Sequence, residues 1–278
     1  MFKGRNLLIA TKHEKEKVMA PILEKELGVK CFLTSEFDTD ELGTFTGEVE
    51  RKENAITTAR KKCLMAMELA NCDLAIASEG SFGSHPTIFF AHADEEFLLF
   101  LDKKNDLEIS ARELSLETNF NGSEIKNQNE LQEFAANANF PSHGLILRKS
   151  KEDLADIVKG ITTEEQLQKA FSTLITKYGT AYVETDMRAM YNPTRMKVIE
   201  KATVKLVDKI KSLCPKCETP GFGIMDRKEG LPCEQCHFPT RSTLSHLYSC
   251  QKCNFTNEDK YPNGKQFEDP MYCDMCNP

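Results

Sequence analysis

The sequence predicts an α/β domain followed by a small metal-stapled tail. Two observations carry this. Apolar runs of strand length alternate with amphipathic helical stretches through residues 1–213. Four Cys-x-x-Cys pairs then crowd residues 214–278, taking eight of the eleven cysteines.

Leu7-Leu8-Ile9-Ala10 is a continuous apolar run of the kind a buried strand shows. Glu14 to Leu27 follows as a charged amphipathic helix with Pro21 in its middle, and Lys30 to Thr34 reads as a second strand. A loop rich in Asp, Glu, Thr and Gly covers Ser35 to Gly47. Glu48 to Ala70 is predicted as a helix, because Ala55, Ala59, Cys63, Ala66 and Ala70 form a stripe spaced by three and four. Leu74 to Ala77 is a third strand, expected to end where the glycines of Ser78-Glu79-Gly80-Ser81-Phe82-Gly83 make a tight turn. Glu96 to Asp102 and Leu107 to Leu116 form a hairpin around Lys103-Lys104-Asn105-Asp106. Asn129 to Ala138 suits a helix, Gly144 to Arg148 a strand, Thr163 to Tyr178 a helix and Ala181 to Thr185 a last strand. Asn192-Pro193 opens the final long helix, with Asn as cap and Pro at the first helical position.

Forty per cent hydrophobic and 28% charged is ordinary for a globular chain. No apolar run approaches the 18 or so residues of a membrane span, and Leu7 to Ala10 is too short for a signal-peptide core. A cytoplasmic protein is therefore expected, and in a reducing compartment paired cysteines favour metal over disulfide. The net charge is −7; from Cys214 onward seven Lys/Arg stand against nine Asp/Glu, a balance of −2. Filling a four-thiolate site with Zn²⁺ adds about two further negative charges. Such a tail lacks the basic excess that nucleic-acid binding requires.

A Cys-x-x-Cys turn aims two thiolates at one point, and a second such turn closes a tetrahedral cage. The pairs Cys214/Cys217, Cys233/Cys236, Cys250/Cys253 and Cys273/Cys276 are separated by 15, 13 and 19 residues, so two structural Zn²⁺ ions are expected. The spacing favours the first pair with the second and the third with the fourth, although an interleaved arrangement satisfies the same gaps. Cys31, Cys63 and Cys72 lack metal spacing and read as small core residues.

Polar residues gather where predicted strands end, the edge at which open α/β sheets bind ligands. Thr11, Lys12 and His13 follow the first strand, and Ser78, Glu79 and Ser81 the third. Glu184, Asp186 and Arg188 lie on and after the last strand, with Arg195 beyond. Glu184 and Asp186 are two apart and share a strand face, where they hold a metal together or pair with the arginines. Carboxylates for Mg²⁺ set against Lys and Arg for phosphate make the minimum equipment for pyrophosphate chemistry.

Ile9-Ala10-Thr11-Lys12-His13, Glu53-Asn54-Ala55 with Ala59-Arg60, and Asp73 to Ser81 with the following hairpin resemble segments of the ITPase-like superfamily, the non-canonical purine NTP pyrophosphatases. The resemblance spans roughly residues 5–120. It implies a mixed-sheet α/β fold with a long cleft, Mg²⁺ near Glu53 and Glu79, and phosphates near Lys12. His13 stands where that family has Asn, and the acidic turn holds the single Glu79. Taken whole, the chain also resembles an uncharacterised bacterial family with a Glu-Thr-Asp-Met-Arg-Ala segment, an Asn-Pro-Thr-Arg segment and four Cys pairs.

Two functions are therefore expected. One is a Mg²⁺-dependent phosphohydrolase acting on a nucleotide or related phosphorylated ligand. It would use Glu79, Glu53 and Asp186 as catalytic residues, with Thr11, Lys12, His13, Ser81, Arg188 and Arg195 at the substrate. The other is a non-catalytic sensor of such an anion, whose zinc tail contacts a protein partner or a second copy.

Overall fold

The computed structural model describes residues 1–34, 53–88, 90–153 and 155–278. The expected loop over Ser35 to Gly47 and the start of the helix drawn from Glu48 lie outside these. The chain divides into two units, Met1–Val207 and Asp208–Pro278. The sequence boundary at Cys214 falls six residues later.

The first unit holds two sheets. The larger is built from β1 (Asn6–Ala10), β2 (Lys30–Phe32), β3 (Leu74–Ser84), β4 (His92–Asp102) and β5 (Leu107–Ser115). Its order is β2-β1-β3-β4-β5; the first three strands run parallel and the last two antiparallel. Helix α1 (Glu16–Leu27) links β1 to β2. Helix α2 (Ala55–Leu69) is capped by Asn54, whose side chain accepts from the Thr57 amide at 2.9 Å. The small residues of its stripe, Ala59, Cys63 and Ala66, let it lie close on Ala75, Ala77 and Leu99.

The smaller sheet has the order β6-β9-β7-β8, from β6 (Gly122–Ile125), β7 (Leu145–Arg148), β8 (Val158–Ile161) and β9 (Ala181–Thr185), all antiparallel. α3 (Gln128–Asn137) and α4 (Glu164–Tyr178) bury Leu131, Phe134, Leu167, Phe171 and Leu174 against Leu145, Leu147 and Val183. Thr163 and Gln166 cap α4 reciprocally, satisfying two orphan amides at its start.

The glycines after Ala77 do not make the expected turn. β3 continues to Ser84, paired with β4 as far as His92. Gly80 is there for lateral clearance, since a β-carbon would fall on Arg195 Nη2 and Glu96 Oε1. Arg195 sits in the first turn of α5 (Pro193–Lys211), which Asn192 caps by accepting from the Arg195 amide at 3.0 Å. The Arg195 side chain has no exposed surface; its Nε donates to Glu96 at 2.6 Å, and Nη1 to the Met187 carbonyl just after β9. One guanidinium thus ties β4 of the larger sheet to the segment leaving the smaller one.

The second unit contains the antiparallel meander β10 (Gly223–Glu229), β11 (Thr243–Ser249) and β12 (Thr256–Lys260), in that order.

Breaking a buried ion pair costs about 3–5 kcal/mol, because the partner stays charged and uncompensated. Arg195→Leu should lower unfolding free energy in urea by that order. Adding Glu96→Leu to it should recover part of the loss.

Candidate metal centres and a buried charge cluster

The meander decides which cysteine pairs meet. Cys217 precedes β10, while Cys250 lies between β11 and β12, so antiparallel pairing brings the first and third pairs to one end of the sheet; Gly223 is opposite Ser249. The second pair, between β10 and β11, goes to the other end. There the backbone at Cys233 bridges to Glu268, just before the fourth pair. The tetrads are therefore Cys214, Cys217, Cys250 and Cys253, and Cys233, Cys236, Cys273 and Cys276. This corrects the favoured pairing of neighbours: sequence separation sets how far a pair can reach, whereas strand direction sets which end of the sheet it reaches.

Each pair is shaped alike. The amide after the second cysteine donates to the carbonyl of the first, from Glu218, His237, Asn254 and Asn277 at 2.8–3.0 Å. Three of these residues, Glu218, His237 and Asn254, take left-handed φ of 55–58° to close the turn. Sulfur separations across the tetrads are 3.7 Å (Cys214–Cys253), 3.6 Å (Cys217–Cys250), 3.8 Å (Cys233–Cys276) and 3.6 Å (Cys236–Cys273). A tetrahedron with Zn–S bonds of about 2.3 Å has an edge of about 3.8 Å, so both sets fit Zn²⁺. Four thiolates leave no open position for water, which suits a structural ion rather than a catalytic one.

In the first unit, polar side chains replace apolar ones where β3 and β4 pass the end of β1. Strand alternation puts Ser78 and Gly80 on one face with Asp94 and Glu96, and Glu79 on the face covered by α2. Glu79 is buried and pairs with Lys62 of α2 at 2.7 Å. On the other face the buried Lys15, just before α1, donates to Ser78 Oγ at 2.9 Å. Burial, and then the nearby Arg195, push its ammonium down to about 8, against the pull of Glu96 and Glu79. Asp94 is 1% exposed, with neither carboxylate oxygen hydrogen-bonded. Burial and the adjacent Glu96 raise it to about 8, against Arg195 and Lys15. Two groups that titrate near neutrality so close together are unusual outside functional sites.

The residues picked from the sequence are only partly gathered here. Thr11, Lys12 and His13 do leave β1 at this edge, with His13 and Glu14 in consecutive left-handed conformations of φ 66° and 61°. Thr11 Oγ1 donates to the Lys12 carbonyl. Ser81 is exposed on β3. The three carboxylates expected at a metal each hold a different base: Glu79 has Lys62, Glu53 has Lys61 at 2.6 Å, and Asp186 has Arg188. Asp186 also accepts from the Gly160 amide at 3.0 Å, and Arg188 lies over the Tyr191 ring. Glu184 takes Arg148 at 2.8 Å instead of joining Asp186 at a metal. Arg195, expected at an anion, is the buried tie described above. Among the described residues, the groups of three or more Cys, His, Asp or Glu placed to hold a metal are the two cysteine tetrads.

Lys62, Asp94 and Glu96 were not singled out in the sequence, although a signal was present. Lys62 stands beside Cys63 on the buried stripe of α2, and Asp94 and Glu96 continue the inward alternation of Leu98 and Phe100.

A family model described as a domain of unknown function (DUF6671) matches residues 62–278, from within α2 through both tetrads. No curated protein matches the chain.

Interleaving has a distinct stoichiometry. With both sites filled, Cys217→Ser and Cys250→Ser should each remove one zinc by metal analysis, and together no more than that one. Cys217→Ser with Cys236→Ser should remove both; pairing of neighbours would give the reverse.

Asp94 holds its proton in the folded state at pH values where an unfolded carboxyl, near 3.8, has lost it. The folded state therefore binds more protons between about pH 4 and 8, and stability falls as pH rises across that window. Lys15, lowered from 10.5 to about 8, acts in the opposite sense, adding stability between about pH 8 and 10.5. In urea unfolding, Asp94→Asn should gain on the unmodified protein from pH 5 to pH 8.

Proposed function

We propose that the chain, which belongs to the DUF6671 family, binds a small phosphorylated ligand, a nucleotide or related compound, beside the carboxyl ends of β1 and β3. Structural Zn²⁺ fills both cysteine tetrads. The observation that carries the ligand reading is Lys15. It is a buried ammonium whose hydrogen-bond partner is the Ser78 hydroxyl rather than a carboxylate, with Lys62 and Arg195 close enough to depress it further. An anionic oxygen brought to Lys15 would restore its charge, and Lys12 and His13 leave β1 at the same edge. The ITPase-like pattern of residues 5–120 points to the same edge.

Hydrolysis is the second reading, favoured by Asp94. A carboxyl still protonated near neutrality can donate to a leaving oxygen, and Lys15 losing its proton near pH 8 can accept one. Mg²⁺ does not fit the carboxylates as they stand, since Glu79, Glu53 and Asp186 are each taken by a basic side chain. No step is therefore routed through that ion.

Thermal melting with inorganic pyrophosphate and a panel of nucleoside triphosphates, with and without Mg²⁺, separates the readings when phosphate release is followed in parallel. A stabilising shift without release, lost in Lys15→Met, supports binding alone. Release that Asp94→Asn reduces about a hundredfold or more supports hydrolysis. No shift and no release with any compound overturns both.

A further inference from the structure

The two metal lobes of the second unit share one turn but differ in what surrounds it. In the first lobe the aromatic side chains cover one another, Phe222 stacking on Tyr248 at 5.7 Å and meeting Phe255 at 6.0 Å. In the second lobe Phe238, Phe267, Met271, Tyr272 and Met275 are between 44% and 64% exposed. They flank one tetrad. Phe238 follows Cys236, the Phe267 ring meets His237 at 5.9 Å, and Met271 and Tyr272 form the 3-10 turn leading into Cys273. Met275 lies inside the Cys273/Cys276 turn, at a position where the other three turns carry Lys216, Gln235 and Lys252. Polar side chains suffice to close the turn, so folding alone does not call for a methionine there.

Charge indicates what would cover this surface. Residues 231–242 and 263–278 carry Arg241 and Lys265 against Glu234, Glu268, Asp269 and Asp274, a balance of −2. A zinc-filled tetrad brings this to about −4. Methionines adapt to varied apolar side chains and recur on surfaces that take amphipathic segments. An acidic rim repels nucleic acid and anionic lipid headgroups alike.

We propose that this lobe docks a basic amphipathic segment of a partner protein, its apolar side chains on Met271, Tyr272 and Met275 and its Lys or Arg residues towards Glu234, Asp269 and Asp274. The surface lies in the second unit and is independent of the phosphorylated-ligand reading; it uses the zinc assignment only for two of the charges.

Fluorescence anisotropy with the zinc-loaded full chain and three short labelled helical peptides tests this. One peptide is amphipathic in Leu and Lys, one has Gln in place of Leu at equal charge, and one has Glu in place of Lys. The Leu/Lys peptide should bind about tenfold or more tighter than either of the others. Met271→Ser with Met275→Ser should weaken it about tenfold, with zinc content and melting temperature kept. Equal binding of the Gln/Lys peptide, or binding unchanged by the methionine substitutions, would overturn the proposal. So would self-association that the same substitutions abolish, which would give the surface to a second copy. Ligand-dependent melting through Lys15 remains measurable in that variant, so failure here is distinguishable from failure of the phosphorylated-ligand reading.

Discussion

Arg195 carries a charge that has no access to water, and the first unit is arranged around neutralising it. Glu96 on β4 supplies the counter-charge, the Met187 carbonyl accepts from Nη1, and the Phe82 ring lies beneath the guanidinium at 5.1 Å. The consequences spread outward from this pair. Gly80 has no side chain because the space is taken. Asn192 must cap α5 in a set orientation for the arginine to reach β4. Asp94, two residues before Glu96 on the same strand face, is kept from ionising partly by Glu96 itself. The unusual titration of the candidate site is thus partly a by-product of how two sheets are held together.

The second unit rests on a different economy. Its strands are short and largely exposed, with few buried apolar side chains to hold them. Metal binding at sites of this kind contributes about 10–16 kcal/mol in small peptides at neutral pH, far more than such a meander could gain from burial. With metal in both tetrads such a unit need not hide every apolar side chain, and Phe238, Phe267, Met271, Tyr272 and Met275 are left exposed around the second tetrad, as Met225 is on β10.

Much of this was legible in the sequence where a local rule operates. The capping residue Asn192, the hairpin joining β4 to β5, and the bounds of β9 all follow from side chains within a few positions, whereas Asn54, read as helix interior, turned out to be the cap of α2. What stayed hidden depends on distant partners. The run of β3 through Gly80 looks like a turn until Arg195 is known to cross it. β6 and β8 are four residues each and carry no apolar run to announce them. The eight cysteines were identifiable from spacing, but their partition needed strand directions. The carboxylates chosen as metal ligands are real features, yet each had a basic neighbour in space that sequence order does not show. The buried Lys62, Asp94 and Glu96 were visible as charged residues interrupting apolar periodicity, a pattern worth as much attention as the periodicity itself.

Interleaving the cysteine pairs fixes the order in which the second unit can close as it is synthesised. The first cage needs only the third pair to emerge, whereas Cys233 and Cys236 stay without half their cage until Cys273 and Cys276 follow. During that interval the half-built site presents two thiolates to whatever metal or oxidant is at hand. The lobe with the exposed methionines is therefore the last to form, and the first to be lost when the closing cysteines are removed.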